Sequence, residues 1–213
     1  MINLSNYAHV SFDLDGTLIN SVETMRVAWN SACMIFDLKQ SFEDYLKGTG
    51  KPFHKIMDKL NIEDPDGLIQ QHYFDVASAA QNAISLFDGA ADVLRGIENT
   101  GLSWSIITSK PRRNVTQLLH KFDLKPNVLV CGDDFVQVKP SAYPMRYVRE
   151  ELSLGDNANI VYIGDTISDY IFALNSNVDY VHANFGIHGP LSKRIYPRPN
   201  AINSLIELKI YKK

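Results

Sequence analysis

Two aspartates at the end of an apolar run are the first residues whose types and spacing could do chemistry. The stretch HVSFDLDGTLIN places Asp13 and Asp15 two positions apart, directly before a glycine. Two carboxylates this close repel each other unless something positive lies between them. In such a pair, one carboxylate can attack as a nucleophile while the other transfers protons. A solvated turn is the alternative, so the meaning of the pair depends on the residues at the ends of the other apolar runs.

Polar side chains come after three later apolar runs as well. Thr108 and Ser109 close and follow the run SWSIIT, Lys139 comes after NVLVC, and Asp165 and Asp169 follow NIVYI. Because ligands of open parallel sheets bind beyond the carboxyl ends of the strands, we expect these side chains to meet at one edge. Carboxylates gathered there need a cation, and Mg²⁺ prefers carboxylate, water and phosphate oxygens. The set predicts a site where a phosphoryl group is bound and transferred.

The elements that must position these residues alternate along the chain. Short apolar runs alternate with amphipathic stretches, which indicates parallel strands joined by helical crossovers. We therefore predict an α/β fold, a Rossmann-like parallel sheet core with helices on both faces. The predicted strands cover 8–12, 103–108, 127–131, 159–163 and 179–183, and the predicted helices cover 90–100, 111–122, 141–152 and 168–176.

One connection is far longer than the others. Roughly 90 residues separate the first two predicted strands, where a crossover needs far fewer. We expect this segment to be helical throughout, with helices over 22–37, 42–46, 52–60 and 65–86 and a break at KGTGK, residues 47–51. The sequence thus predicts a helical cap domain over 20–86, inserted into a core domain formed by 1–19 and 87–213.

The polar residues, taken together, form four motifs in a fixed order. They resemble the motifs of the haloacid dehalogenase-like hydrolase superfamily, especially its phosphoglycolate phosphatase-like branch with a helical cap. The resemblance covers nearly the whole chain. The motifs are DxDGT at Asp13-Leu14-Asp15-Gly16-Thr17, a strand-closing threonine at Thr108, Lys-Pro at Lys139-Pro140, and GDxxxD at 164–169.

The resemblance implies a role for each motif residue. Asp13 is the expected nucleophile and a Mg²⁺ ligand, and Asp15 is the acid and base whose backbone carbonyl also binds the metal. Asp165 is expected to bind Mg²⁺ directly, whereas Asp169 is a metal-site residue that acts through water or a hydrogen bond. The phosphoryl oxygens would be held by Thr108, Ser109 and Lys139.

These roles predict a Mg²⁺-dependent phosphatase that hydrolyses a small phosphate monoester through an aspartyl-phosphate. A phosphotransferase of the β-phosphoglucomutase type uses the same core, but such relatives carry a substrate-binding arginine near the cap break. This chain has Lys51 there and no arginine between Arg26 and Arg95. A non-catalytic regulatory relative usually lacks a motif residue, and none is missing here.

Four further residues leave alternatives open. Lys47 and Lys51 flank the cap break and either contact an anionic part of the substrate or lie in a solvated loop. Asp133 and Asp134 either orient Lys139 or belong to a plain polar loop.

Composition limits the partners of the chain. The 213 residues carry 21 basic and 24 acidic side chains, a formal net charge of −3, which gives no reason to expect binding to nucleic acid or a membrane surface. The N-terminal stretch MINLSNYAHV lacks a basic region followed by an apolar segment, so we expect a cytoplasmic location. The expected partner is a small phosphorylated metabolite, and the oligomeric state is left open.

Overall fold

The computed structural model describes residues 1–192, 195 and 199–211. The remaining parts of the predicted core domain, at 193–194, 196–198 and 212–213, lie outside the described residues. Ten strands are present in the described ranges. They are β1 (Ile2–Asn3), β2 (His9–Phe12), β3 (Ile19–Asn20), β4 (Ser85–Leu86), β5 (Ser103–Ile107), β6 (Val128–Val130), β7 (Ile160–Gly164), β8 (Asp179–Ala183), β9 (Asn200–Ile202) and β10 (Leu208–Lys209).

Six of these strands form one parallel sheet. Their order is β6-β5-β2-β7-β8-β9, and every neighbouring pair is parallel. Every residue of the two central strands, β2 and β7, is buried, as expected where helices cover both faces of a parallel sheet. The predicted α/β fold with a parallel sheet core is therefore confirmed, and the sheet gains one strand, β9, that was not predicted.

Eight α-helices accompany the strands in the described part of the chain. Helices α5 and α6 contribute side chains to an apolar cluster on one face of the sheet, and α7 and α8 contribute to a cluster on the other. No described helix is long and apolar enough to cross a membrane. The helices are α1 (Val22–Phe36), α2 (Phe42–Leu46), α3 (Phe53–Lys59), α4 (Leu68–Ala79), α5 (Ala90–Thr100), α6 (Arg112–Phe122), α7 (Tyr143–Glu151) and α8 (Ile167–Asn175).

Helices α1 to α4 share an apolar cluster of their own. Trp29 on α1 stacks on Tyr45 of α2 with ring centroids 4.5 Å apart, and Tyr45 lies 5.3 Å from the ring of Tyr73 on α4. All three rings are buried in this cluster. An insert that buries its own aromatic side chains is consistent with a separate packing unit, and the boundaries of the predicted cap domain stay a prediction.

The prediction of one helix over 65–86 is wrong at both ends, so 20–86 is not helical throughout. Helix α4 begins only at Leu68, because both oxygens of the Asp64 carboxylate accept hydrogen bonds from the first turn, at 3.0 Å from Ile69 N and 2.9 Å from Gln70 N. It ends at Ala79, after which β4 pairs antiparallel with β3. The two ends of the insert therefore leave and return to the sheet side by side.

The carboxyl ends of the central strands bring the motif residues to one edge. The ladder continues past each strand, since Asp13 N donates to Ile163 O at 2.8 Å and Thr108 N donates to Val130 O at 2.9 Å. These bonds fix the backbone from which the polar side chains leave the sheet.

Candidate active site

Three aspartates meet where β2 and β7 end. Carboxylate oxygens of Asp13, Asp165 and Asp169 lie within 4.8 Å of one another, and all three residues are buried. Burial raises the pKa of Asp13 to about 7, and it raises the pKa of Asp165 well above its usual range. A cluster of buried carboxylates is unfavourable unless positive charge compensates it.

Lys139 supplies part of that charge. Its ammonium lies 2.7 Å from Asp13 Oδ1 and 2.8 Å from Asp169 Oδ1, and the residue is 3% exposed. Burial alone would lower the pKa of Lys139, but the two carboxylates outweigh it and raise that pKa above its usual range. Lys139 therefore stays charged and offsets Asp13, one of the two roles that the sequence prediction gives it.

Tyr162 is a member of this network that sequence reasoning missed. Its hydroxyl accepts a hydrogen bond from Lys139 Nζ at 3.0 Å and lies 3.0 Å from Ile107 O and 3.1 Å from Asp169 Oδ1, either of which can take its proton. The available signal was a tyrosine inside the otherwise aliphatic run IVYI of the predicted strand. A buried phenol needs a polar partner, so its presence there indicated a polar group next to the sheet.

Asp169 is held by the start of its own helix. Its Oδ2 accepts from Thr166 N at 3.0 Å and from Thr166 Oγ1 at 2.7 Å, and Asp169 N donates back to Thr166 Oγ1. This reciprocal arrangement is a capping box. Burial would raise the pKa of Asp169, but Lys139 and the Thr166 hydrogen bonds lower it instead. Both of its oxygens are thus occupied by protein donors.

Asp165 has an oxygen without a partner. Its Oδ2 accepts a hydrogen bond from Ile187 N at 2.8 Å, while the buried Oδ1 has no partner among the described residues. A side chain at Gly16, which has a φ of 84°, would collide with this carboxylate. A free buried oxygen beside Asp13 suits a hard cation, because Mg²⁺ binds carboxylate oxygens.

Asp15 faces a different lysine. Lys110 Nζ contacts both of its oxygens, at 2.8 Å and 3.1 Å, and Ser21 Oγ donates to Oδ1 at 2.5 Å. The ion pair is mostly buried, with side chains 12% and 14% exposed. Sequence reasoning did not assign Lys110 a role, although it directly follows the predicted phosphate-binding Thr108 and Ser109. Asp15 thus has a cation of its own and is not one of the three clustered carboxylates.

Thr108 and Ser109 also lie in the site. Both line a cavity of about 60 Å³ above Asp13 and Asp15. The Thr108 hydroxyl accepts from Lys110 N at 3.2 Å, and Ser109 Oγ donates to Gly50 O at 3.3 Å. Ser109 therefore connects the core to the predicted cap break.

The suggestion that Asp133 or Asp134 orients Lys139 is wrong. Asp133 accepts a hydrogen bond from Arg112 N at 2.7 Å, and Asp134 forms an ion pair with the Arg112 guanidinium at 2.5 Å. Both carboxylates thus hold the start of α6. At the cap break, Lys47 pairs with Asp44 at 2.8 Å, whereas Lys51 is exposed and lines the cavity.

Comparison with known proteins agrees with this geometry. The family described as haloacid dehalogenase-like hydrolase matches residues 10–183. The chain is 25% identical over 197 residues to a phosphoglycolate phosphatase of Mannheimia succiniciproducens, covering 85% of this chain and 88% of that protein. It is 26% identical over 171 residues to the N-acetylmuramic acid 6-phosphate phosphatase of Pseudomonas aeruginosa, covering 75% and 74% of the two chains.

Solved structures share the fold. A haloacid dehalogenase-like hydrolase of Bacteroides fragilis superposes with a TM-score of 0.83 at 22% identity, covering 93% of this chain and 98% of that one. Since the family match spans most of the sequence and includes all four motifs, this chain belongs to the haloacid dehalogenase-like hydrolase family, in its phosphoglycolate phosphatase-like branch.

Proposed function

We propose that the protein is a Mg²⁺-dependent phosphatase that hydrolyses a small phosphate monoester through an aspartyl-phosphate on Asp13. The observation that carries the proposal is the buried Asp13, which lines a cavity, touches the Lys139 ammonium and lies beside the unpartnered oxygen of Asp165. This arrangement combines a nucleophile, a positive charge to keep it ionised, and room for a second cation.

The side chains can divide the reaction between them. Asp13 attacks phosphorus with the oxygen that Lys139 leaves free, and the bond between phosphorus and the leaving oxygen breaks as the new one forms. Asp15 donates a proton to that leaving oxygen and then accepts one from the water that hydrolyses the aspartyl-phosphate. Because Lys110 and Ser21 bind Asp15 while Lys139 binds Asp13, the two carboxylates have different partners and can take different roles.

The residues present fit the metal. Asp13, Asp165 and the backbone carbonyl of Asp15 would hold it, and both oxygens of Asp169 are occupied by Lys139 and Thr166, which favours contact through water. When bound, Mg²⁺ neutralises charge on the phosphoryl oxygens and on the carboxylates. Thr108, Ser109 and Lys139 would bind the remaining phosphoryl oxygens.

The insert over 20–86 is proposed to act as a cap over this site. Two contacts of the cap break support it: Ser109 Oγ donates to Gly50 O, and the His188 ring lies 2.9 Å from Thr49 Oγ1. A cap in this position excludes bulk water from the cavity. The named relatives, phosphatases for glycolate and amino-sugar phosphates, share similar identity with the chain, so overall similarity does not select the substrate.

A panel of phosphate monoesters, assayed with Mg²⁺ and with EDTA, tests the proposal. We expect release of inorganic phosphate from at least one ester, with loss of essentially all turnover in EDTA and recovery on adding Mg²⁺. Interconversion of sugar-phosphate isomers without phosphate release would instead identify a phosphotransferase. No Mg²⁺-dependent turnover on any ester would favour a regulatory relative.

Mg²⁺ should also stabilise the folded protein. At a free concentration one hundred times the Kd, mass action contributes about 2.7 kcal/mol, which raises Tm by roughly 5–10 °C for a chain of this size. Differential scanning fluorimetry measures this without turnover. Asp165→Asn should lose most of the rise, whereas Asp58→Asn, at an exposed position on α3, should keep it.

The stabilisation of the folded protein by Mg²⁺ should increase with pH. Burial raises the pKa of Asp13 to about 7, so the metal-free fold binds more protons than the unfolded chain. The stability that this carboxyl contributes is present below its ordinary pKa and is lost as the pH rises through about 7. Metal-free Tm should therefore fall between pH 5 and pH 8, and Mg²⁺ should raise Tm more at pH 8. An equal Mg²⁺-induced rise in Tm at pH 5 and at pH 8 would contradict a metal bound to Asp13.

A further inference from the structure

Two tyrosines of the insert, Tyr45 and Tyr73, line the cavity. Asp13 and Asp15 line the same cavity, and each tyrosine is 3% exposed. They come from different helices of the insert, α2 and α4, and their rings lie 5.3 Å apart at an angle of 41°. Two helices of the insert thus bring two phenol side chains next to each other in the cavity lining.

The hydroxyls of these phenols are available to a ligand. Burial is the main cause that raises the pKa of both phenols, and the lesser causes are each other and the charge of Asp15, which indicates that the two hydroxyls lie near one another and near that carboxylate. Among the described residues, neither hydroxyl has a third polar partner. Buried hydroxyls normally have a hydrogen-bond partner for each proton. One mutual bond uses one proton, which leaves a second proton and several lone pairs for a bound molecule.

Apart from the two tyrosines, the insert contributes mostly apolar side chains to the cavity lining, together with Thr49, Gly50 and Lys51 of the cap break. The apolar side chains are Met25, Phe53, Ile56 and Phe74. Of the two lysines there, Lys110 is held by Asp15, and Lys51 is an exposed residue. A carboxylate on the leaving group would lie among aromatic rings and near Asp15, where burial without a paired cation is unfavourable. A hydroxyl on the leaving group could both accept a hydrogen bond from one phenol and donate one to the other.

We propose that Tyr45 and Tyr73 select the leaving group, and that the preferred substrate is the phosphate monoester of a small uncharged alcohol that carries a second hydroxyl group. This inference rests on the proposed phosphatase function. The two phenols bind the second hydroxyl, Phe53 and Phe74 contact the carbon atoms, and the small cavity limits the leaving group to a few heavy atoms.

Three esters with two-carbon leaving groups test the selection. They are 2-hydroxyethyl phosphate, ethyl phosphate and 2-phosphoglycolate, which differ only at the second carbon, a hydroxymethyl, a methyl and a carboxylate group respectively. We expect the wild-type protein with Mg²⁺ to give the highest kcat/KM for 2-hydroxyethyl phosphate and the lowest for 2-phosphoglycolate. A kcat/KM for 2-phosphoglycolate equal to or above that for the hydroxyl ester would overturn the inference, and a Lys51→Gln variant that abolishes this activity would identify the cation responsible.

Substitution of each tyrosine by phenylalanine removes one hydroxyl group and tests whether that hydroxyl binds the substrate. Tyr45→Phe and Tyr73→Phe should each lower kcat/KM for 2-hydroxyethyl phosphate by about 3- to 10-fold, the range expected for one hydrogen bond. For ethyl phosphate the change should stay below about 2-fold. The matched control is Tyr143→Phe on α7, outside the cavity lining, which should change neither value.

The outcomes separate this inference from the function on which it rests. If both phenylalanine variants lower kcat/KM equally for the hydroxyl and ethyl esters, the phenols contribute only packing and the inference is wrong, while the phosphatase stands. If the wild-type protein releases no phosphate from these esters or from the wider panel, the proposed function itself is wrong. If the phenylalanine variants lower kcat/KM for 2-hydroxyethyl phosphate but not for ethyl phosphate, the result supports both the inference and the proposed function.

Discussion

Asp13→Asn should lower kcat for every phosphate monoester by at least about 10⁴-fold, because an amide cannot attack phosphorus as a carboxylate does and loss of a nucleophile has effects of this size. The substitution keeps the shape of the side chain, and the amide can still lie next to Lys139. Substrate binding should therefore survive, and isothermal titration with Mg²⁺ present should give a Kd within about 10-fold of the wild-type KM. Steady-state assays of phosphate release measure the loss.

The control for this variant separates chemistry from folding. Asp13→Asn removes one of three carboxylates from a buried cluster, so the metal-free variant should unfold at a temperature equal to or above that of the wild type. Asp133→Asn changes a carboxylate that binds only the start of α6, and it should keep kcat within about 3-fold. An Asp13→Asn protein that keeps more than about 1% of wild-type kcat would contradict attack by Asp13.

The sequence predicted those parts of the molecule that depend on local pattern. The strand that ends before Asp13 and the one that ends before Thr108 are found within one residue of their predicted limits, since a short apolar run between polar turns determines them locally. Parallel strands then require their carboxyl ends to share an edge. That is why Asp165 and Lys139, far from Asp13 along the chain, could be expected beside it.

The features that the sequence could not predict depend on pairing between distant side chains. Nothing in the spacing shows that Lys110 binds Asp15 while Lys139 binds Asp13, since both lysines follow strands of the same sheet. The sequence predicts no strand at β3 and places β4 inside a helix, because two-residue strands have no periodicity of their own. The pairing of β3 with β4 depends on the insert returning to the point where it began.

The candidate active site contains several buried charged groups, which are rare in ordinary protein cores. Three buried carboxylates lie close together with one buried ammonium, and Asp165 keeps an oxygen that has no partner among the described residues. Under the proposed function, a divalent cation and a phosphate would bind there together, because each compensates the charge of the other. We therefore expect the metal-free protein to be less stable than the metal-bound protein.

Lys139→Met should therefore have the largest effect on stability. It keeps the length of the side chain but leaves Asp13 and Asp169 without their cation and Tyr162 without its donor. Removal of one partner of a buried ion pair typically lowers the free energy of unfolding by about 3–5 kcal/mol. For a chain of this size the corresponding fall in Tm is roughly 6–20 °C. Urea denaturation of the metal-free protein at pH 7.5 measures the change.

Lys110→Met is the matched control, because it removes an ammonium from a carboxylate at the more accessible end of the same site. Water can reach Asp15, whose side chain is 14% exposed, so we expect a smaller fall in unfolding free energy, of about 1–2 kcal/mol. The Lys139→Met protein should regain part of its stability at pH 5, where protonation of Asp13 removes the uncompensated charge. Equal losses for the two variants, or no recovery in acid, would mean that Lys139 contributes packing and not charge compensation.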